Sequence, residues 1–182
     1  MKIRGIRLSI TRLLKFFIFT LIFTLSFILS SCATTKNIST AKDINVNKYM
    51  GKWYVSASLH PIFKQQCEYM TVDYKHPSDN NIEITNSCHL GNKVISKDTQ
   101  TWVYDTDNNS KFWRPFSGGY WVLYVSRDYQ FAAVGKPSKD YLLFLSRDKV
   151  ISSKQLAIMK NIAAKSGYNV ADIKVTPHIM NL

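Results

Sequence analysis

The chain contains no Gly-x-Ser-x-Gly elbow, no Cys-x-x-Cys pair and no two histidines at helical i,i+4 spacing. The first absence removes the strained turn that presents a hydrolase serine. The others remove the usual zinc frameworks. Serine, histidine and aspartate all occur, but no spacing singles out a triad, and the acidic residues fall mostly in turns or on water-facing alternating positions. Neither catalysis nor a cofactor is expected. Lysine and arginine outnumber aspartate and glutamate 24 to 12, yet no run holds five or more cations. Nucleic acid is therefore not an expected partner, and the basic excess reads as a solvated surface or a weak attraction to anionic lipid head groups. No internal repeat is present.

A run long enough to span a bilayer is also missing. The uncharged stretch Phe16 to Leu29 has fourteen residues, short of the roughly 20 that a transmembrane helix needs. It follows five cations (Lys2, Arg4, Arg7, Arg12, Lys15) with no acidic residue among the first 31, which is the pattern of a secretory signal. The run ends in Leu29-Ser30-Ser31-Cys32, which resembles the bacterial lipoprotein box. That resemblance implies cleavage before Cys32 and acylation of its thiol and new amino terminus; the alternative is an uncleaved anchor with an incidental cysteine. Ala33, in place of an acidic residue, points to the outer membrane. Loss of the five signal cations lowers the net charge from +12 to +7. The expected organisation is a signal over 1–31, a lipidated tether over 32–44 and one domain over 45–182.

Only three cysteines are present. With Cys32 taking lipid, Cys67 and Cys88 remain as a disulfide pair in an oxidising compartment. The 20 residues between them correspond to about 3 kcal/mol in the chain-entropy account. Metal ligation by the two thiols is the alternative.

From Trp53 onward the chain gives eight short runs rich in β-branched and aromatic residues: 53–59, 67–74, 82–88, 97–104, 111–116, 120–126, 129–134 and 141–146. Turn chemistry separates them, as in Pro77-Ser78-Asp79-Asn80-Asn81 and Gly118-Gly119. Only one segment reads as a helix, with Ser152 as N-cap, Gln155 completing a capping box, Gly167 at the C-terminus and an apolar stripe of Leu156, Met159, Ile162 and Ala163. A short strand over 173–176 follows. One helix cannot interleave a parallel sheet, so the reading is all-β: an eight-stranded antiparallel up-and-down barrel with one C-terminal helix packed outside. Runs 120–125 and 141–145 are apolar on both faces, as a wall between a lumen and a covering helix must be. Ile82-Glu83-Ile84-Thr85 alternates, as where the outer face meets water.

Three segments carry a family resemblance: Tyr49-Met50-Gly51-Lys52-Trp53-Tyr54, Arg127-Asp128-Tyr129 and Leu145-Ser146-Arg147 resemble the three lipocalin signature regions. The whole is similar to the bacterial outer-membrane lipocalins, relatives of apolipoprotein D, over roughly residues 43 to 178. The resemblance implies that Trp53, freed by Gly51 to turn under the sheet, closes the barrel base with Arg147 across its indole. The Cys67–Cys88 pair would staple the second and third strands. One departure stands out: the family usually carries a longer fifth strand than Trp113-Arg114 provides, so pocket depth and rim are expected to differ.

Side-chain parity then proposes what lines the lumen. Counting from Trp53 gives Val55, Ala57 and Leu59; counting back from Arg147 gives Leu145, Leu143 and Tyr141. The family pattern adds Tyr120, Val122 and Tyr124, Ala132 and Val134, and Trp102 and Tyr104. Apolar walls with a few phenols suit an acyl chain with a polar head near the rim. The expectation is a carrier of fatty acids or lysophospholipids, attached to the outer membrane through acylated Cys32 and facing the periplasm. Alternatives are capture of another apolar molecule, such as a pigment, haem or signalling compound, and a structural lipoprotein with a filled barrel. A homodimer is left open.

Overall fold

The computed structural model describes residues 15, 17, 18, 38–59 and 67–176; Cys32, the expected acylation site, and most of the expected export segment lie outside the described residues. The chain divides into two compact units, Met1–Lys36 and Asn37–Leu182. In the first, Lys15, Phe17 and Ile18 are helical. The second carries α1 (Val46–Tyr49), β1 (Gly51–Ser58), β2 (Tyr69–Ser78), β3 (Asn81–Leu90), β4 (Lys93–Tyr104), β5 (Lys111–Arg114), β6 (Gly118–Val125), β7 (Phe131–Gly135), β8 (Leu142–Ser146), α2 (Ser153–Lys165), a 3-10 turn (Val170–Asp172) and β9 (Lys174–Val175).

Each strand from β2 to β8 pairs antiparallel with the next, β8 pairs with β1, and β1 returns to β2. The sheet is therefore a closed eight-stranded barrel. On one flank of β1, β2 covers Gly51 to Tyr54 and β9 continues at Ala57 and Ser58. Helix α2 begins with the expected capping box, Ser152 accepting from the Gln155 amide and Gln155 reaching back to the Ser152 amide. Two short elements, α1 and the 3-10 turn, were not foreseen; each is a single turn opened by an asparagine cap, Asn45 or Asn169, and such turns leave no periodic stripe to read.

Two apolar clusters result. One fills the barrel and includes Tyr49, Trp53, Val55, Val72, Tyr74, Ile82, Trp102, Phe112, Tyr120, Val122, Ala132, Val134, Leu143 and Leu145. The other lies between barrel and helix and includes Leu123, Phe131, Ala133, Leu142, Phe144, Met159, Ala163 and Tyr168. Gly135 lets these layers approach: a Cβ there would collide with the Tyr168 hydroxyl and stand 2.9 Å from the Tyr141 carbonyl. The Tyr168 hydroxyl donates to the Lys136 carbonyl at 2.7 Å, tying the segment after α2 to the β7–β8 turn.

The wall is uneven. Strand β4 begins at Lys93, earlier than the expected 97, and pairs with β3 along nearly its whole length. Strand β5 has four residues and meets β4 only at Val103 and Tyr104. The β4 segment 93–101 thus has no strand on its β5 side among the described residues, so the barrel wall is notched towards its open end.

Candidate functional site

The closed end is built around Trp53. Gly51 takes φ +89°, a left-handed conformation that L side chains resist, and this turns β1 beneath the barrel. The buried indole donates through Nε1 to the Tyr49 carbonyl at 2.9 Å. The Arg147 guanidinium lies 3.7 Å from the indole centroid. It also donates through Nη1 to the Lys52 carbonyl at 2.7 Å and through Nη2 to the carbonyls of Lys48, Tyr49 and Met50 at 2.9, 3.1 and 2.8 Å. The last three are carbonyls around the end of α1, where a cation is electrostatically favoured. Arg147 therefore covers the plug on one face and caps the short helix on the other.

Above Trp53 the barrel is packed with aromatic rings. Tyr49 meets Trp53 and Tyr74 at centroid distances of 5.2 and 5.0 Å, and the Tyr74 and Tyr120 hydroxyls are hydrogen-bonded at 2.5 Å. Tyr120 also contacts Trp102 and Tyr141 at 5.7 and 6.0 Å. Burial pushes the phenols of Tyr49, Tyr74 and Tyr120 well above the usual tyrosine range and Tyr141 up to about 12. All four are neutral at physiological pH, and the Tyr49 hydroxyl is buried without a hydrogen-bond partner among the described residues.

Over this aromatic floor opens a cavity of about 470 Å³. Met70, Ile84, Trp102, Tyr120 and Tyr141 form its inner wall; Asn86, Asp98, Gln100, Arg114, Phe116, Ser117 and Lys136 complete it. Its lining takes in Asp98 and Gln100 of the β4 segment unpaired on its β5 side and Arg114 at the end of β5, the residues that flank the notch. Arg114 ends β5, donates from Nε to the Ser117 hydroxyl at 2.9 Å and stands 5.2 Å from the Trp102 ring. The Lys136 ammonium stands 5.7 Å from the Tyr141 ring.

Of the thirteen residues expected to contact ligand, Trp102, Tyr120 and Tyr141 line the cavity. Val55, Val122, Ala132, Val134, Leu143 and Leu145 face the barrel interior, and Tyr104 packs against it, but none lines that space. Ala57, Leu59 and Tyr124 are corrections: all three belong to the cluster under α2, outside the barrel. The cause is a pair of β-bulges. Val55 faces Leu145 but Ala57 faces Phe144, and Val122 faces Val134 but Tyr124 faces Ala133. Ser56 and Leu123 are each one residue too many, so every later side chain changes face. Of the lining residues missed by counting from the ends, Gln100 and Asp98 were accessible by alternation along β4 from Trp102, and Ile84 and Asn86 are their β3 partners, whereas Met70, Arg114, Phe116, Ser117 and Lys136 carried no such signal.

The third cysteine apart, the thiols pair as expected: Cys67 and Cys88 form a disulfide with Cα atoms 5.5 Å apart. It ties the start of β2 to the upper end of β3. Among the described residues no group of three or more potential metal ligands occurs.

A closed eight-stranded antiparallel barrel, plugged by a tryptophan below and hollow above, with a helix on its flank, defines a calyx protein for small apolar ligands. The chain belongs to the lipocalin family: the lipocalin-like domain model matches residues 44–178. It is 28% identical over 156 residues to the outer membrane lipoprotein Blc of Citrobacter freundii, covering 81% of this chain and 88% of that one. It is 29% identical over 155 residues to temperature-induced lipocalin-1 of Arabidopsis thaliana, covering 78% and 83%. A solved structure of the siderocalin Ex-FABP superposes with a TM-score of 0.56 at 17% identity, covering 71% of this chain and 94% of that one, which is a likeness of fold.

Proposed function

We propose that this lipocalin carries single-chain acyl lipids, fatty acids or lysophospholipids, and performs no catalysis. The observation that supports it best is the cavity itself. At about 470 Å³ it falls within the roughly 300–1,000 Å³ typical of small-molecule sites. Its inner wall is aromatic and aliphatic and its polar groups gather at the mouth, so a ligand with an apolar tail and a polar head finds matching surroundings in one orientation. The packed lower barrel limits how far a chain can descend and favours one acyl chain over two.

An acylated Cys32 holding the domain at the outer membrane, facing the periplasm, completes the proposal. The lipoprotein-box residues support it, as do relatives that are outer membrane lipoproteins in Citrobacter freundii and Escherichia coli. Native mass spectrometry of membrane-extracted protein should reveal the added acyl mass on Cys32. For the carrier function, delipidated full chain titrated with palmitate and with palmitoyl lysophosphatidylcholine should show saturable one-to-one uptake and a change in tryptophan emission that Trp102→Phe diminishes. Failure of every long-chain fatty acid and lysolipid to saturate would remove the carrier reading.

A further inference from the structure

We propose that Arg114 and Lys136 form a clamp for a negatively charged head group at the cavity mouth, so that the calyx selects acyl ligands ending in a carboxylate or phosphate. The inference rests on the carrier reading and adds the charge of the ligand.

Both cations line the cavity and approach it from different elements, Arg114 from the end of β5 and Lys136 from the turn after β7. Each stands over an aromatic ring that is also part of the wall, Trp102 for Arg114 and Tyr141 for Lys136. Rings beneath the charged groups orient them with little loss of charge, since the attraction is to the π-face.

Their supports are fixed as well. Arg114 is paired with Gly118 across the β5–β6 hairpin, and Nε is held by Ser117. The Lys136 amide donates to the Tyr141 carbonyl at 3.0 Å and its carbonyl accepts from Tyr168. A clamp that is already positioned loses less entropy when a ligand enters.

Among the described residues neither cation forms an ion pair; the salt bridge present joins Lys75 to Glu83. One carboxylate, Asp98, lines the same cavity, and it accepts from the Gln100 amide at 2.7 Å. Two cations against one acid leave the mouth net positive. Both cations are only partly exposed, so their field is screened less than that of a free surface lysine. Asn86, Gln100 and Ser117 supply neutral groups around them. Fatty acids and lysophospholipids with a net negative head share this chemistry.

The test uses the delipidated full chain and three probes with the same acyl chain: palmitate, palmitoyl lysophosphatidic acid and monopalmitin. Hydrogen bonds to charged groups contribute enough to predict at least tenfold tighter binding of an anionic probe than of neutral monopalmitin at low salt. Arg114→Gln together with Lys136→Gln should narrow that preference to within threefold, while Arg114→Lys, which keeps the charge, should retain most of it. A preference shown by palmitate alone or by lysophosphatidic acid alone identifies the head as carboxylate or phosphate and supports the clamp in either case. Equal binding of all three probes by the unaltered chain, or a preference that survives the double substitution, overturns the clamp and leaves the carrier reading standing. Absence of saturable binding by all three overturns both.

Discussion

At the closed end of the barrel Arg147 donates to five backbone carbonyls and covers an indole at 3.7 Å. At the mouth Arg114 makes one side-chain hydrogen bond, to Ser117, and stands 5.2 Å from its ring. The two arginines are chemically identical and both sit over tryptophan, yet one is saturated by the fold and the other keeps donors in hand. The same contrast holds for the aromatics. Trp53 is fully buried, whereas Phe116 at the β5–β6 turn is fully exposed with φ +62°. Closed end and mouth thus divide the labour: one end holds the barrel together, and the other leaves polar and apolar groups uncommitted. If the division is correct, substitutions below should cost stability and substitutions above should change binding with little effect on folding.

The largest effect is expected at Trp53. Replacing it with alanine empties the plug and strands Arg147 above a void, so Trp53→Ala should cost about 3–5 kcal/mol by the general cost of large-to-small core changes. Equilibrium urea unfolding of the two proteins measures this directly. A loss under about 1 kcal/mol would place the closed end on the same footing as the mouth and dissolve the comparison.

This contrast also separates what could be read from the sequence from what could not. The closed end was legible through the lipocalin resemblance, whose signature residues are local and distinctive: a glycine two residues before a tryptophan, and an arginine directly after a strand; the glycine and tryptophan alone would not have paired Trp53 with Arg147. Strand order was legible because asparagine, aspartate, glycine and proline mark most of the turns. The lumen was only half legible. Parity holds for Val55 and Val122 and fails for Ala57, Leu59 and Tyr124, since an extra Ser56 or Leu123 changes no composition and leaves no mark in a pattern of apolar residues. The mouth was least legible. Arg114 and Lys136 look like any surface cations in a basic chain, and only the short β5 and the rings of Trp102 and Tyr141 bring them together.

A smaller effect should follow alkaline titration, which probes the aromatic layer between the two ends. The Tyr141 phenol has its pKa raised to about 12 by burial, against about 10 in an unfolded chain. The sign follows from which state holds the proton. Below pH 10 both states are protonated and the full contribution is present; between 10 and 12 the unfolded chain releases its proton first, so stability falls as pH rises. Two units correspond to on the order of 2–3 kcal/mol. Urea midpoints measured from pH 8 to 12 should decline above pH 10, and Tyr141→Phe should flatten part of that decline. An identical decline in the variant would mean that Tyr141 does not contribute to it.

The smallest effect, and the one of opposite sign, is expected at Phe116. A bulky side chain in a left-handed backbone conformation carries about 1–2 kcal/mol of strain, and the exposed ring recovers nothing from burial. Asparagine tolerates that conformation better without glycine's extra freedom in the unfolded chain. Phe116→Asn should therefore leave stability unchanged or raise it by up to about 1 kcal/mol, in contrast to the loss at Trp53. Because Phe116 lines the cavity, the same substitution should weaken palmitate uptake, which titration of the delipidated chain will show. A strained aromatic that costs stability and aids binding is what the mouth of a carrier would contain. Loss of stability in Phe116→Asn, with uptake unaltered, would show instead that the ring serves the fold, and the division between the two ends would have to be redrawn.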